Sequence, residues 1–277
     1  MTVLRVVSYN IHKGRSATGT RESLEALRLG LYNLGPDLLF LQEVQGRNEL
    51  QSSLDGQHES LAAVLDMQAA YGCNAVRPRT DHGNALLSRF PILQFENQDV
   101  SDHRMEQRGL LHAVVDINET PVHCLVVHLG LFGGGRSRQV AALVERIKRL
   151  VPEDEPVLIA GDFNDWNNRL APLFVQQLGL YEVFAVAPQA RDPRLLRRLR
   201  DMAFRPNPLA QTVHELGVDG AARLTPPPRT FPAAFPWLRL DRIYQRGFAV
   251  RHAKVLHGAP WRQISDHAPL LAELELP

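Results

Sequence analysis

The chain has 277 residues, 44% of them hydrophobic and 22% charged, with a formal net charge of +1. That balance suits a globular protein with a sizeable core and excludes a disordered or collagen-like chain. The near-neutral charge also argues against a broad electrostatic surface for nucleic acid, while leaving room for a local basic patch.

Apolar runs appear in chain order at Leu4–Tyr9, Leu38–Gln42, Ala85–Ser88, Leu110–Ile117, Val122–His128, Val157–Ala160, Leu240–Tyr244 and Pro269–Leu274. Their length and their Val, Leu and Ile content predict buried strands. Between the first two runs, Thr20 is placed to cap a helix with Leu24, Leu27, Leu31 and Leu34 on one face, ended by Gly35-Pro36. A second helix is expected from a Ser137 cap, with Val140, Leu143, Val144, Ile147 and Leu150 inward, ending near Pro152. Strands interleaved with helices predict an α/β protein. The segment 185–236 is rich in proline and arginine, with Arg191, Arg194, Arg197, Arg198, Arg200 and Arg205 close together. It reads as a long excursion from one catalytic domain spanning residues 1–277, not as a linker. Its arginines read first as a solvated helix face and otherwise as a patch for a polyanion or an acidic membrane surface. Phe231, Phe235 and Trp237 are equally suited to a substrate wall or to anchoring that loop.

Cys73 and Cys124 are too few and too far apart for a disulfide framework or a zinc site. Cys124, inside an apolar run, reads as a small buried hydrophobe. The opening MTVLRVVSYN lacks the basic start and long apolar core of a secretory signal. No run reaches the roughly 18 apolar residues of a membrane span. A reducing, cytoplasmic setting and no transmembrane segment are expected.

The polar residues of interest share one context, at or just beyond an end of an apolar run. Asn10 follows LRVVSY, Glu43 follows DLLFLQ, His128 ends VHCLVV, Asp162 and Asn164 follow VLIAG, Asp241 follows WLRL, and Asp266 and His267 precede APLLAEL. Strand ends and the loops beyond them are where α/β proteins build sites. Carboxylates with asparagine oxygens suit a hard cation such as magnesium, which leaves room for a phosphate.

The strings SYNIHKG, LQEVQ, GNALLSRFPI, HLGL, GDFND, RLDRIY and SDHAPL occur in that order. In this the chain resembles the endonuclease/exonuclease/phosphatase superfamily. That superfamily includes exonuclease III, abasic-site endonucleases, pancreatic-type deoxyribonucleases, inositol polyphosphate phosphatases and bacterial sphingomyelinases. The likeness runs from Asn10 to His267 and is nearest to small bacterial members with NIHKG early and RLDRIY late. It implies a four-layer αββα sandwich of two mixed sheets flanked by helices, with the site at one edge between the sheets. It also implies Mg2+, with Mn2+ as the alternative, held by Glu43 with Asn10 and Asp266. By the same likeness, Asp162 activates or positions the attacking water and Asn164 orients it. His267 is the catalytic histidine, Asp241 orients His267, and His128 touches the phosphate or assists the leaving group. His128 stands where deoxyribonuclease-like members place a second histidine and abasic endonucleases a tyrosine, which weakens the case for an abasic endonuclease. Arg108 and Asn84 are expected on the phosphate side. His12 and His82 flank motifs but read as ordinary histidines.

The expectation is a metal-dependent phosphodiesterase, nuclease-like, with a phosphodiester substrate in nucleic acid or a lipid head group and no stable protein partner. The alternative is a lipid or small-molecule phosphoesterase, which the apolar stretch RTFPAAFPWLRLDRIY favours slightly. A third reading, a non-catalytic binding protein on this fold, predicts loss of a site residue, and every key position is intact.

Overall fold

The computed structural model describes residues 2–49, 56–103, 106–188 and 226–276. Most of the proline- and arginine-rich segment, including the run from Arg191 to Arg205, lies outside the described residues.

Two six-stranded mixed sheets face each other. The first is built from β11 (Ala249–Val255), β12 (Leu270–Leu276), β1 (Thr2–Asn10), β2 (Leu38–Val44), β4 (Asp81–Ser88) and β3 (Gln68–Val76), in that order across the sheet. The second runs β5 (Ile92–Asp99), β6 (Gly109–Ile117), β7 (Thr120–His128), β8 (Val157–Asp162), β10 (Asp241–Arg246) and β9 (Tyr181–Glu182). The two sheets share one pairing pattern. Each has a central parallel pair, β1 with β2 and β7 with β8, flanked by antiparallel neighbours. A parallel pair needs a crossover, which α1 (Leu24–Leu34) supplies in the first sheet and α3 (Gly133–Leu150) in the second.

Alternation sorts the side chains into layers. Leu4 and Val6 of β1 join Phe40, Leu86, Leu111, Val126, Leu158 and Ile243 between the sheets. Val7 and Tyr9 point the other way, toward α1, α2 (Gln57–Leu65) and α6 (Trp261–Ile264). On the far side, Leu125, Val127 and Ile159 pack on Val140, Leu143 and Ile147 of α3 and on Phe174 of α4 (Ala171–Leu178). A short α5 (Val183–Val186) follows β9. The result is the expected helix–sheet–sheet–helix sandwich. Cys124 is buried between the sheets, as its run predicts.

Several expectations need correction. Thr20 does not cap α1. Its Oγ1 is bonded to Thr18 within the preceding turn, and the helix begins after Ser23, whose hydroxyl donates to the Ile264 carbonyl instead. Ser137 lies one turn inside α3, because the helix already starts at Gly133, and its Oγ bonds back to the Gly133 carbonyl. Leu150, at the end of α3, is exposed rather than inward. β3, β5, β9 and β11 are absent from the apolar runs read in the sequence. β5 is mostly exposed and polar, β11 is half-exposed with apolar and basic residues mixed, and their neighbours β6 and β12 hold them by backbone pairing. No described helix is long and apolar enough to cross a membrane.

Candidate active site

Strand direction gathers the site. Asn10 pairs with Gln42 at the C-terminal end of the first parallel pair, and Glu43 follows at once. His128 pairs with Asp162 at the same end of the second pair. β10 runs antiparallel to β8, so its first residue, Asp241, also lies opposite Asp162. β12 runs antiparallel to β1, and Asp266 and His267 lie just before it, at the end where β1 stops. Seven predicted side chains therefore reach one edge of the sandwich from both sheets.

Asp162 is the hub. Its Oδ2 lies 3.4 Å from Asn10 Nδ2, 3.6 Å from His128 Nε2 and 3.7 Å from His267 Nε2. Its Oδ1 accepts the Asn164 backbone N–H at 3.0 Å. Asn164 thus positions Asp162 through the main chain, while its side-chain amide donates to the Leu129 carbonyl. Asn10 Nδ2 also lies 3.5 Å from Glu43 Oε1. His267 Nδ1 lies 2.9 Å from Asp241 Oδ2, the predicted acid–histidine pair. A carboxylate acceptor there means that Nδ1 carries the proton, which leaves Nε2 facing Asp162. Phe231 lies against the His267 ring at 4.9 Å, so that aromatic is part of the site wall, whereas Phe235 and Trp237 are exposed.

Close approach has a backbone cost at Gly161, immediately before the hub. A Cβ there would meet the Val127 carbonyl oxygen at 1.9 Å, so only glycine lets β8 lie against β7 at this point. Glu43 (φ 54°) and Asn164 (φ 50°) adopt left-handed backbone, as do His12 (φ 47°) and Lys13 (φ 57°). Non-glycine residues in that region carry strain, and such strain clusters at functional sites.

The electrostatics separate the two histidines. Burial alone would lower the pKa of His267, but Asp241 outweighs it, helped by Asp162 and Asp266, and pushes it up to about 10. Burial, then the Arg108 guanidinium, pulls His128 down to about 4. These opposite directions favour imidazolium at His267 and neutral imidazole at His128 at neutral pH. Burial raises the Asp162 carboxyl against the pull of His267 and His128. Burial also works against ionisation of Glu43, yet neighbouring His128, Lys13 and His267 outweigh it and hold that carboxyl well below its ordinary range.

The pair expected on the phosphate side fares unevenly. Arg108 is near enough to influence His128, and its Nη2 lies 3.4 Å from Glu106 Oε1. Asn84 is fully buried between the sheets, its amide donating to the Gly109 and Val126 carbonyls at 3.0 and 3.4 Å. A phosphate contact by that amide would require breaking those bonds. His82 is lowered by burial and then by Lys13, which places it near the cleft. His12 Nδ1 lies 3.7 Å from Asp266 Oδ1.

Three contributors escaped the sequence reading. Lys13 Nζ donates to Glu43 Oε2 at 2.7 Å. Ser265 Oγ donates to the Asn10 carbonyl at 2.7 Å and lies 3.3 Å from the His267 N–H, tying β1 to the loop that carries Asp266 and His267. Arg242, fully buried, donates to the carbonyls of Arg239, Asp241 and Asp165, holding the start of β10 against the loop after Asp162. Lys13 and Ser265 stand inside the strings NIHKG and SDHAPL, so their position in the motifs was the available signal. Arg242 stands inside RLDRIY but reads there as an ordinary partner for Asp241.

Asp162, Asp241 and His267 offer ligand atoms within 4.8 Å of one another and could hold a metal ion. A hard cation prefers oxygen to imidazole nitrogen, so the oxygen-rich side toward Glu43 and Asn10 suits magnesium better. That side fits on its own chemistry. Glu43 supplies a carboxylate there and Asn10 an amide oxygen that also accepts the His12 N–H, and elsewhere in the site Asp241 Oδ1 is buried without a hydrogen-bond partner.

Residues 7–267 match the profile described as the Endonuclease/Exonuclease/phosphatase family. The Escherichia coli protein named "Uncharacterized protein YbhP" is 38% identical over 280 residues, which cover 98% of this chain and 96% of the relative. Among solved structures, an endonuclease/exonuclease/phosphatase from Beutenbergia cavernae superposes with a TM-score of 0.71 at 18% identity, over 100% of this chain and 72% of that one. The catalytic domain of human Nocturnin, solved with a bound sulfate anion, gives 0.70 at 19% identity, over 99% of this chain and 95% of that one. D. rerio TDP2 complexed with a single-strand DNA product gives 0.65 at 19%, over 99% and 100%. With the fold, the ordered motifs and this match over nearly the whole chain in agreement, the chain belongs to the endonuclease/exonuclease/phosphatase family.

Proposed function

We propose that the chain is a divalent-metal-dependent phosphodiesterase, nuclease-like in its chemistry. The observation that carries this reading is the grouping around Asp162 Oδ2. Two histidine nitrogens and an asparagine amide lie within 3.7 Å of one carboxylate oxygen, beside a second carboxylate, Glu43. Glu43, with Asn10 and Asp266, would hold Mg2+ or Mn2+, whose bound charge offsets that of an anionic phosphodiester and of its leaving oxygen. The chain's own groups do the rest. Asp162, its affinity for a proton raised by burial, accepts a proton from the attacking water. Asn164 fixes the Asp162 carboxylate through its backbone N–H. Asp241 keeps His267 as an imidazolium with Nε2 directed into the cleft, where it stabilises charge growing on the phosphate oxygens. His128, neutral, donates to or accepts from the phosphate or leaving group. Arg108 stands on the phosphate side, and Asn84 fastens the two sheets beneath the cleft.

The sulfate in Nocturnin and the DNA product in TDP2 support an anionic substrate for this fold. A lipid substrate is the second reading. It is favoured by the exposed Leu131, Phe132 and Trp166 in the loops after His128 and Asp162, and by exposed Phe235 and Trp237. Salt separates the two. A nuclease should bind oligonucleotide with steep salt dependence, whereas a lipid hydrolase should prefer vesicles. For the chemistry itself, wild type with Mg2+ is expected to hydrolyse bis-p-nitrophenyl phosphate. Asp162→Asn should lose roughly a thousandfold with an unchanged circular dichroism spectrum. Wild-type turnover by that variant refutes the reading.

A further inference from the structure

Lys13 is held in the cleft by more than chance. It is the middle residue of a single 3-10 turn, His12–Gly14, and has a left-handed backbone (φ 57°). Gln57, at the start of α2, clamps it there. Its Nε2 donates to the Lys13 carbonyl at 2.8 Å, and its Oε1 accepts the Gln45 N–H at 2.9 Å, two residues past Glu43. The next residue has to be glycine, because a Cβ on Gly14 would meet Gln57 Nε2 at 2.6 Å and φ there is +67°. From the other side, the Asn10 side-chain oxygen accepts the His12 N–H at 3.1 Å. This scaffold delivers the ammonium 2.7 Å from Glu43 Oε2, leaving the other oxygen, Oε1, toward Asn10.

The geometry gives the arrangement a meaning. Glu43 has two carboxylate oxygens, and the ion pair with Lys13 takes up one of them. That leaves a single Glu43 oxygen, Oε1, free to face an ion beside Asn10.

We propose that Lys13 is a resident cation of the site. It occupies one oxygen of Glu43 and thereby limits the cleft to a single divalent ion. The proposal rests on the reading of Glu43 as the metal ligand and concerns only how many ions the site accepts. In Lys13→Met, Oε2 is released and the cleft carries an uncompensated charge, so a second ion has both a ligand and a reason to bind.

The test is a titration of metal-stripped protein with Mn2+, with free ion followed by electron paramagnetic resonance. Wild type should bind one equivalent and Lys13→Met two, while Lys13→Arg, which keeps the cation, should bind one. Stripped Lys13→Met should also melt lower than stripped wild type and gain more from added Mn2+. Should that variant fold only in the presence of metal, refolding in Mn2+ followed by gel filtration gives the same count. Two equivalents in wild type, or one in Lys13→Met, overturns the proposal. Turnover of a diester by wild type is scored separately, so failure of the phosphodiesterase reading is distinguishable from failure of this one.

Discussion

His267 and His112 are both buried histidines in polar networks, and the protein drives them in opposite directions. At the cleft, His267 donates to Asp241, with Asp162 and Asp266 close by, and its pKa rises to about 10. On the outer face of the second sheet, beneath α3, His112 Nδ1 lies 3.2 Å from Arg146 Nε and its Nε2 lies 2.9 Å from His123 Nδ1. His123 Nε2 in turn reaches Glu155 at 2.6 Å. An arginine donor on Nδ1 forces the proton of His112 onto Nε2, so that network works with neutral His112. Burial, then Arg146, lowers His112 to about 4. The difference lies in what surrounds each ring. A histidine among carboxylates is charged and ready to meet an anion, whereas one beneath a guanidinium is structural wiring.

The sharpest way to break this contrast is to remove the carboxylate. Asp241→Asn should lower phosphodiesterase activity by roughly a thousandfold while the protein stays folded. In the metal-free variant, nuclear magnetic resonance titration should find His267 well below its wild-type pKa. Next in size is Arg146→Met. It strips the buried hub from His112, Gln98 and Glu96 and should cost about 2 kcal/mol in urea unfolding while leaving turnover within about twofold. Loss of activity equal to that of Asp241→Asn would mean that the second network also serves catalysis.

Stability against pH gives a subtler separation. His112 has a lowered folded pKa, so between about 6.5 and 4 the unfolded chain takes up a proton that the folded chain refuses. Its contribution is lost as pH falls through that window. His267 has a raised folded pKa, so its contribution is complete below about 6.5 and is lost as pH rises toward 10. His112→Gln should flatten the acid limb of the stability profile of metal-free protein, and His267→Gln the alkaline limb. The smallest effect is expected from Glu96→Gln. Its side chain is largely exposed, and screening by water leaves its ion pair with Arg146 little weight, so the melting midpoint should stay near wild type.

The sandwich was legible in the sequence, and so was the gathering of the predicted polar residues at one edge, whereas several individual elements were not. Asn10, His128, Asp162 and Asp241 sit at strand ends, with Glu43 one residue inside β2 and His267 three residues before β12, and strand pairing brings such ends together. β5, at the edge of its sheet, could not be read because its residues are polar and its backbone bonds come from β6. Helix starts failed for a related reason. Thr20 and Ser137 have the right chemistry for a cap, but the chain spends their hydroxyls elsewhere. For Lys13 the place inside NIHKG was the one signal, and its geometry was not legible because it depends on a left-handed turn and on Gln57, far away in sequence. Arg242 satisfies its guanidinium with three carbonyls, a pattern that no local spacing announces.

The most direct test of the account is hydrolysis of a phosphodiester by metal-stripped wild type and Glu43→Gln, each titrated with Mg2+. The account predicts turnover in wild type that appears with Mg2+ and vanishes with chelator, and none above background in Glu43→Gln. Equal turnover in the two proteins, or turnover in wild type indifferent to chelation, would contradict it.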